Sequence, residues 1–413
     1  MIVKRILHPV GHGAFFTEQF FEKRSRENVF NVVYDCGIIY QSRIKLNEEI
    51  DNTFLSSNRP HVDFLFISHL DEDHVNGIQY MVRKGLVDDL TTFVLPFFND
   101  KELAIYDEFY GRGTLAMFDG IGRTIMKKVI YVPMSDAVIP ENDYGEIDME
   151  GDYLAIEGTS NRVNGVSGEV IKAGMKFSWR KVWEYIPFNL NDNTSKAFWG
   201  EIQNTPELQG LDLDGVKKMF EDRSLSKPLD ADQQKRKETA EKQYRALKDV
   251  YNRVGNKVTG DRLININSLA VVSQGVNNVG VRLSLIDEAK LLEAGCARPL
   301  YDYWPSDGFG ACTYTGDLNL RQDQDFEMCE KKVRSVLRGK STLQLLQIPH
   351  HGSQTSYNKS FSGDLSGACF VNYNSEKSNF NKDMLFDFFS ARKYLMPVTE
   401  IDSSRVEQEF LIL

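Results

Sequence analysis

Short apolar runs, each closed by a polar turn, mark both ends of the chain. Ile2 to Leu7 and Val29 to Tyr34 read as strands, and the second ends at Asp35-Cys36-Gly37. Val62 to Ile67 is β-branched and aromatic enough for a buried strand, and it runs straight into Ser68-His69-Leu70-Asp71-Glu72-Asp73-His74. Val75 to Met81 predicts the start of a helix, and Thr92 to Leu95, closed by Pro96, another strand. Strand signals return late in the chain. Leu263 to Val272 and Val279 to Ile286, joined by Ser273 to Asn278, predict a hairpin. Ala311 to Tyr314 leads into Thr315-Gly316-Asp317, Leu343 to Ile348 into Pro349-His350-His351-Gly352-Ser353, and Cys369 to Tyr373 into Asn374-Ser375. Helix-like stretches, Phe326 to Leu337 and Met384 to Ser390, lie between them. Strands alternating with helices predict an α/β fold.

The middle reads differently. Asp136 to Glu157 holds eight acids and no base. Lys235 to Lys257 holds eight bases against Glu238, Glu241 and Asp249, and reads as a helix broken at Gly255. Residues 101–260 are therefore expected to be an insertion, mainly helix and loop, between a first half (1–100) and a second half (261–413) of one domain.

Composition narrows the class. With 413 residues there is ample surface to bury a core, and no stretch approaches the roughly 20 apolar residues of a membrane span. Five cysteines (Cys36, Cys296, Cys312, Cys329, Cys369) form no Cys-x-x-Cys pair, which fits a reducing cytoplasm. A net charge of −10 argues against nucleic-acid binding by global charge and leaves only local basic stripes.

Chemistry concentrates at strand ends. Of seven histidines, four fall in two clusters, His69 with His74 and His350 with His351, and each cluster follows an apolar strand. Asp35 and Asp317 sit at strand ends too. His and Asp at four strand ends predict a site along one sheet edge. Adjacent buried charges in the 69–74 run repel unless a cation or donor holds them. His69 and Asp71 alternate on an extended turn and are expected to share one ion; Asp73 and His74 turn toward a second. Asp317 is expected to bridge, with His350 or His351 completing the second ion. Imidazole with carboxylate suits Zn, Mn or Fe, and the carboxylate excess shifts the balance toward Mn. A hydroxide between two cations about 3.5–4 Å apart is a nucleophile at neutral pH.

These residues resemble the metallo-β-lactamase superfamily, whose hallmark is His-x-His-x-Asp-His after a strand. Here it stands as His69-Leu70-Asp71-Glu72-Asp73-His74, after Asp35-Cys36-Gly37. The ComEC/Rec2-like subgroup is the nearest in pattern. Val10-Gly11-His12-Gly13-Ala14 is similar to its opening turn, and Asn265-Ile266-Asn267-Ser268-Leu269 to its Asn-x-x-Ser-Leu strand. Tyr314-Thr315-Gly316-Asp317 and Ile348-Pro349-His350-His351-Gly352-Ser353 match its Thr-Gly-Asp and Pro-His-His-Gly-Ser motifs. The resemblance frames residues 1 to about 96 and about 261 to 413. It implies an αββα four-layer sandwich and hydrolysis at two divalent metal ions, Mn or Zn with Mg as a further option. Phosphodiesters, DNA among them, are the implied substrates.

Two departures stand out: Asp71 replaces the usual second histidine, and the subgroup's last histidine-bearing segment is here Asn379 to Met384. Fewer imidazoles favour Mn or Mg and leave room for an inactive member. Within the implied site, His69, Asp73 and Asp317 carry the chemistry, and Asp35 supports a ligand histidine from behind. Ser353, Asn278 and Lys382 are candidates for phosphate contacts. Tyr244 and Tyr251, at i and i+7 among the bases of the middle helix, share a face and could stack on nucleic-acid bases, or simply pack. Two other function classes stay open: hydrolysis of a small ester, lactone, amide or thioester, and a metal-poor partner protein that docks through 101–260.

Overall fold

The computed structural model describes residues 1–39, 43–97, 105, 121, 125–135, 145–150, 158–163, 166–190, 193–254, 268–277, 279–283, 310–338, 343–354, 356–363, 366–376, 381–391 and 393–412. Its strands are β1 (Ile2–Leu7), β2 (Phe15–Phe21), β3 (Asn28–Cys36), β4 (Phe64–Phe66), β5 (Thr92–Pro96), β6 (Lys128–Val132), β7 (Gly145–Asp148), β8 (Gly158–Val163) and β9 (Val166–Ile171). There follow β10 (Met175–Trp179), β11 (Trp183–Asn189), β12 (Leu269–Gly275), β13 (Val279–Leu283), β14 (Cys312–Tyr314), β15 (Leu343–Gln347), β16 (Ser366–Asn372), β17 (Tyr394–Val398) and β18 (Val406–Ile412). The helices are α1 (Arg43–Phe54), α2 (Glu72–Val75), α3 (Ile78–Arg83), α4 (Asn193–Asn204), α5 (Leu213–Ser224), α6 (Ala231–Val254), α7 (Asp323–Val336) and α8 (Lys382–Ser390).

The fold is mixed α/β: two large sheets flanked by helices. A ten-stranded sheet runs β13-β18-β1-β2-β3-β4-β5-β6-β9-β8, and an eight-stranded sheet runs β17-β16-β15-β14-β12-β11-β10-β7. In each, one part is antiparallel and one parallel; β3 to β6 are parallel in the first, β14 to β17 in the second. Strands covered on both faces read as continuous apolar runs, as in the wholly buried β4 and β5. Between the sheets lies an aromatic layer in which Phe20 meets Trp179 at 4.5 Å and Phe66 meets Tyr185 at 5.4 Å. Each such ring contributes about 1.5–3 kcal/mol by burial. Leu46, Ile50 and Phe54 of α1, with Ile78 and Met81 of α3, cover the outer face of the first sheet. Phe326 and Val333 of α7, with Met384 and Phe388 of α8, cover the second.

Residues 101–260 are not helix and loop alone: their described residues carry both helices and strands. Residues 128–189 supply six strands, and β6 pairs with β5 while β11 pairs with β12. Residues 193–254 are mainly helical, and they close a core of their own around Phe198, Val216, Met219, Leu247 and Val250, which Ile105 joins. Most of the acidic stretch 136–157 lies outside the described residues, as do residues 255–260. The expected hairpin between 263–272 and 279–286 does not form either. β12 is buried along its whole length and takes two partners inside the second sheet, β11 and β14, whereas β13 pairs with β18 at the edge of the first. Four cysteines, Cys36, Cys312, Cys329 and Cys369, are buried; Cys296 lies outside the described residues. Among the described residues no helix is long and apolar enough to cross a membrane.

Candidate metal centre

The parallel strands of both sheets bring their carboxyl ends to one edge, where open α/β sheets place ligands. Asp35 lies near the end of β3; 67–74 follow β4; Asp317 follows β14; His350 and His351 follow β15; Asn372 ends β16. Asp35, His350 and His351 all adopt left-handed φ, at 54°, 50° and 54°. That conformation costs a non-glycine residue energy and gathers at functional sites. Gly316 is left-handed too, at 54°, and a Cβ there would fall 2.5 Å from Ser68 Cβ and Ser268 Oγ. A glycine at 316 therefore lets Asp317 approach the histidine loop.

The histidines are anchored through Nδ1. His74 Nδ1 donates to Asp35 Oδ2 at 2.8 Å, and Asp35 also accepts the Ser68 amide and hydroxyl, each at 2.7 Å. His351 Nδ1 donates to the Asn372 carbonyl at 3.0 Å. Carboxylate and carbonyl only accept, so in a neutral His74 ring the proton sits on Nδ1 and Nε2 keeps a lone pair, whereas His351 faces acceptors at both nitrogens, its Nε2 lying 3.1 Å from Asp73 Oδ2. His69 Nδ1 lies 2.9 Å from Ser68 Oγ, and His350 Nδ1 3.0 Å from Ser356 Oγ.

The Nε2 atoms converge on Asp317. His74 Nε2 is 3.3 Å from Asp317 Oδ1; His69 and His350 Nε2 are 3.6 and 3.7 Å from Oδ2. His351 Nε2 is 3.1 Å from Asp73 Oδ2 and 3.9 Å from Asp317 Oδ1. His12 Nε2 lies 3.7 Å from Asp73 Oδ2. Two sets have donor atoms within 4.8 Å of one another: His69, His74 and Asp317, and His12, Asp73 and His351. This regroups the expected ligands, because His74 joins His69 and Asp317 and leaves Asp73. Residues 72–75 form a helical turn, not an extended one, and neighbouring side chains on a helix diverge by about 100°. Asp71 keeps a contact to His69 Nε2 at 3.6 Å but belongs to neither set.

The cluster's titration shows what it lacks. Burial works against charge throughout, yet Asp317 and Asp35 hold His74 well above the usual imidazole range, and Asp317 with Asp71 raises His69. Burial is likewise overcome at Asp317, which His350, His74 and His69 pull well below the carboxylate range, and at Asp73, which His351 pulls down. Burial and His351 lower His12 to about 3, and burial lowers His350. The acids thus need positive charge, and protons on His69 and His74 supply it in the bare chain. The buried Nε2 atoms of both rings nevertheless make no well-formed hydrogen bond. A divalent cation there would meet two imidazoles and a carboxylate, a donor set that fits Zn or Mn.

The remaining candidates fall elsewhere. Ser353 closes the His350 turn, its amide donating to the His350 carbonyl at 2.9 Å. Lys382 opens α8, but its side chain and Asn278 lie outside the described residues. Tyr251 is buried in the helical core against Phe198, and Tyr244 packs under Arg223, so the pair faces inward and not toward a nucleic acid. The basic run 331–340 begins on α7; Lys332 is buried there and donates to the Ser135 carbonyl. In the segment without the last histidine, Asn381 docks on the Gly352 carbonyl at 3.3 Å and caps α8. Sequence reasoning missed His12 and the supporting roles of Ser68, Ser356 and Asn372. A histidine between two glycines, Gly11-His12-Gly13, was the one signal for it. No protein-family model matches the chain, and no curated protein matches it either.

Proposed function

We propose that the chain is a metal-dependent hydrolase of the metallo-β-lactamase type, its two sheets and covering helices forming the αββα sandwich, and that it cleaves phosphodiesters. One observation carries this: imidazoles anchored at Nδ1 by Asp35 and the Asn372 carbonyl turn their Nε2 atoms toward two depressed carboxylates, Asp317 and Asp73. Two divalent cations, Mn or Zn with Mg as a third candidate, would supply a nucleophilic water at neutral pH and neutralise charge at phosphorus. Asp35 and Asn372 keep the rings oriented, and Asp317 Oδ1 lies between the two donor sets, facing His74 and His351. Asp73, at the rim of the cluster, orients the attacking water. His350 is more exposed than His351, and its Nε2 faces Asp317.

The middle helix favours a small phosphodiester over DNA tracked along α6. Arg236, Lys242 and Arg253 pair with Asp222, Glu207 and Glu201, and Lys237 donates to the Leu225 carbonyl. The test is turnover by EDTA-stripped protein reloaded with Mn or Zn on bis-p-nitrophenyl phosphate, beside a lactone and a thioester. Phosphodiester turnover that requires metal is expected. Lactone or thioester turnover without it would overturn the phosphodiesterase reading.

A further inference from the structure

We propose that His12 is a metal ligand, and that His12, Asp73 and His351 hold a second cation at the mouth of the centre, apart from the one enclosed by His69, His74 and Asp317. This rests on the metal-hydrolase reading. The run 69–74 offers only two imidazoles, with Asp71 where a third would stand. The turn between β1 and β2 brings one in from elsewhere.

That turn is held by backbone bonds at His12 and Ala14. The Ile39 amide donates to the His12 carbonyl at 2.8 Å, the Gly37 amide to the Ala14 carbonyl at 2.9 Å, and the Ala14 amide to the Asp73 carbonyl at 3.1 Å. The approach is so close that a Cβ at Gly13 would fall 2.3 Å from the Gly37 carbonyl oxygen, and a Cβ at Gly37 2.3 Å from the Asp73 carbonyl carbon. Two glycines are thus given over to seating the turn against the loop that carries Asp35 and the helix that carries Asp73. The result is a His12 ring 3.9 Å from the His351 ring, with Nε2 3.7 Å from Asp73 Oδ2.

A histidine that only packs needs no carboxylate across from it. Here two imidazoles flank one carboxylate, the same donor set as in the buried group, and Asp317 Oδ1 joins the two, 3.3 Å from His74 and 3.9 Å from His351. The sets differ in access. His69, His74 and Asp317 side chains are 1%, 0% and 5% exposed; His12, Asp73 and His351 are 21%, 13% and 5% exposed. The enclosed ion is the resident one, and the ion at His12 binds more weakly and exchanges with solvent.

The test counts ions rather than turnover. Metal-stripped full-length protein is titrated with Mn(II), free Mn is followed by electron paramagnetic resonance, and bound metal is measured after desalting. The wild type is expected to bind two ions of unequal affinity. His12→Ala should keep the tight site and weaken the other by more than about 100-fold, while His12→Asp restores part of that loss. Circular dichroism checks the fold, and His12→Gln replaces the alanine variant should it not fold. Two ions bound to the His12 variants as tightly as to wild type would overturn the assignment and leave the hydrolase reading standing, as would a single wild-type ion that His12→Ala does not disturb. No ion in the wild type would end both.

Discussion

Two of the buried charge clusters among the described residues are built on opposite terms. Between the sheets, Glu18 accepts from Arg5 Nε and Tyr185 OH at 2.7 Å, from Ser273 Oγ at 2.7 Å, and from Trp183 Nε1 and Tyr314 OH at 3.0 Å. Arg5 also donates to Gln408 and lies over the Phe410 ring. Both carboxylate oxygens and every nitrogen of the guanidinium have a partner, so the network ties the sheets together. At the sheet edge, Asp317 and Asp73 are both held low; Asp73 meets His351 Nε2 at 3.1 Å, but the His69 and His74 Nε2 atoms that face Asp317 make no well-formed bond. A satisfied charge cluster is structural; one that is short of positive charge, with strained backbone on either side, is a place for a ligand.

The sharpest way to break this contrast is Asp317→Ala. It should leave the chain folded and lower phosphodiester turnover by at least about 1,000-fold, or about 4 kcal/mol in the barrier. Turnover near wild type would remove Asp317 from its central place. Glu18→Ala should do the reverse. Leaving Arg5 buried without its partner costs about 3–5 kcal/mol of stability in denaturant unfolding, while the folded fraction keeps its metal count. A metal count lost together with Glu18 would show that the two clusters are not independent.

A third buried group, His8, is a neutral version of the closed kind. It sits between Glu49 and Thr17 and stacks on Phe15, and burial lowers it to about 4. Its folded value is below the unfolded one of about 6.5, so stability is complete above that pH. It is lost as pH falls toward 4, by about 3 kcal/mol at 1.36 kcal/mol per unit. His8→Gln should flatten the stability profile between about pH 6.5 and 4 relative to wild type; an unchanged slope would assign it to other groups. The smallest effect is expected on the middle helix. Lys242→Ala and Arg253→Ala remove exposed ion pairs and should each change stability by less than about 1 kcal/mol. Neither should alter the salt dependence of hydrolysis, and a flatter salt response in either would restore α6 as a nucleic-acid surface.

What could be read from the sequence follows the same division. The strand-end motifs were legible because an apolar run that stops at His or Asp sets a titratable group at the rim of a buried strand. Asp35, His69, Asp73, His74, Asp317, His350 and His351 do meet at one edge. How they divide between two sets was not legible, since it turns on a single helical turn at 72–75. The strands of 128–189 were hidden for local reasons. β7 to β9 are short and polar, and the hairpin of β10 and β11 turns on Arg180 and Lys181, both at left-handed φ, where Asn-Gly would have announced it. The Gly- and Asn-bearing segment Ser273 to Asn278 suits a hairpin loop, but it carries no information about which sheet β12 and β13 each join. His12 was hidden by distance along the chain: 61 residues separate it from Asp73, and 339 from His351.

The most direct measurement is anomalous diffraction from a crystal soaked in Mn(II), recorded at the manganese edge. Two peaks about 3.5–4 Å apart are predicted, one beside His69, His74 and Asp317 and the other beside His12, Asp73 and His351. A map without any peak near these nitrogens, from protein that diffracts and folds normally, would contradict the claim that the edge of the two sheets holds a pair of cations.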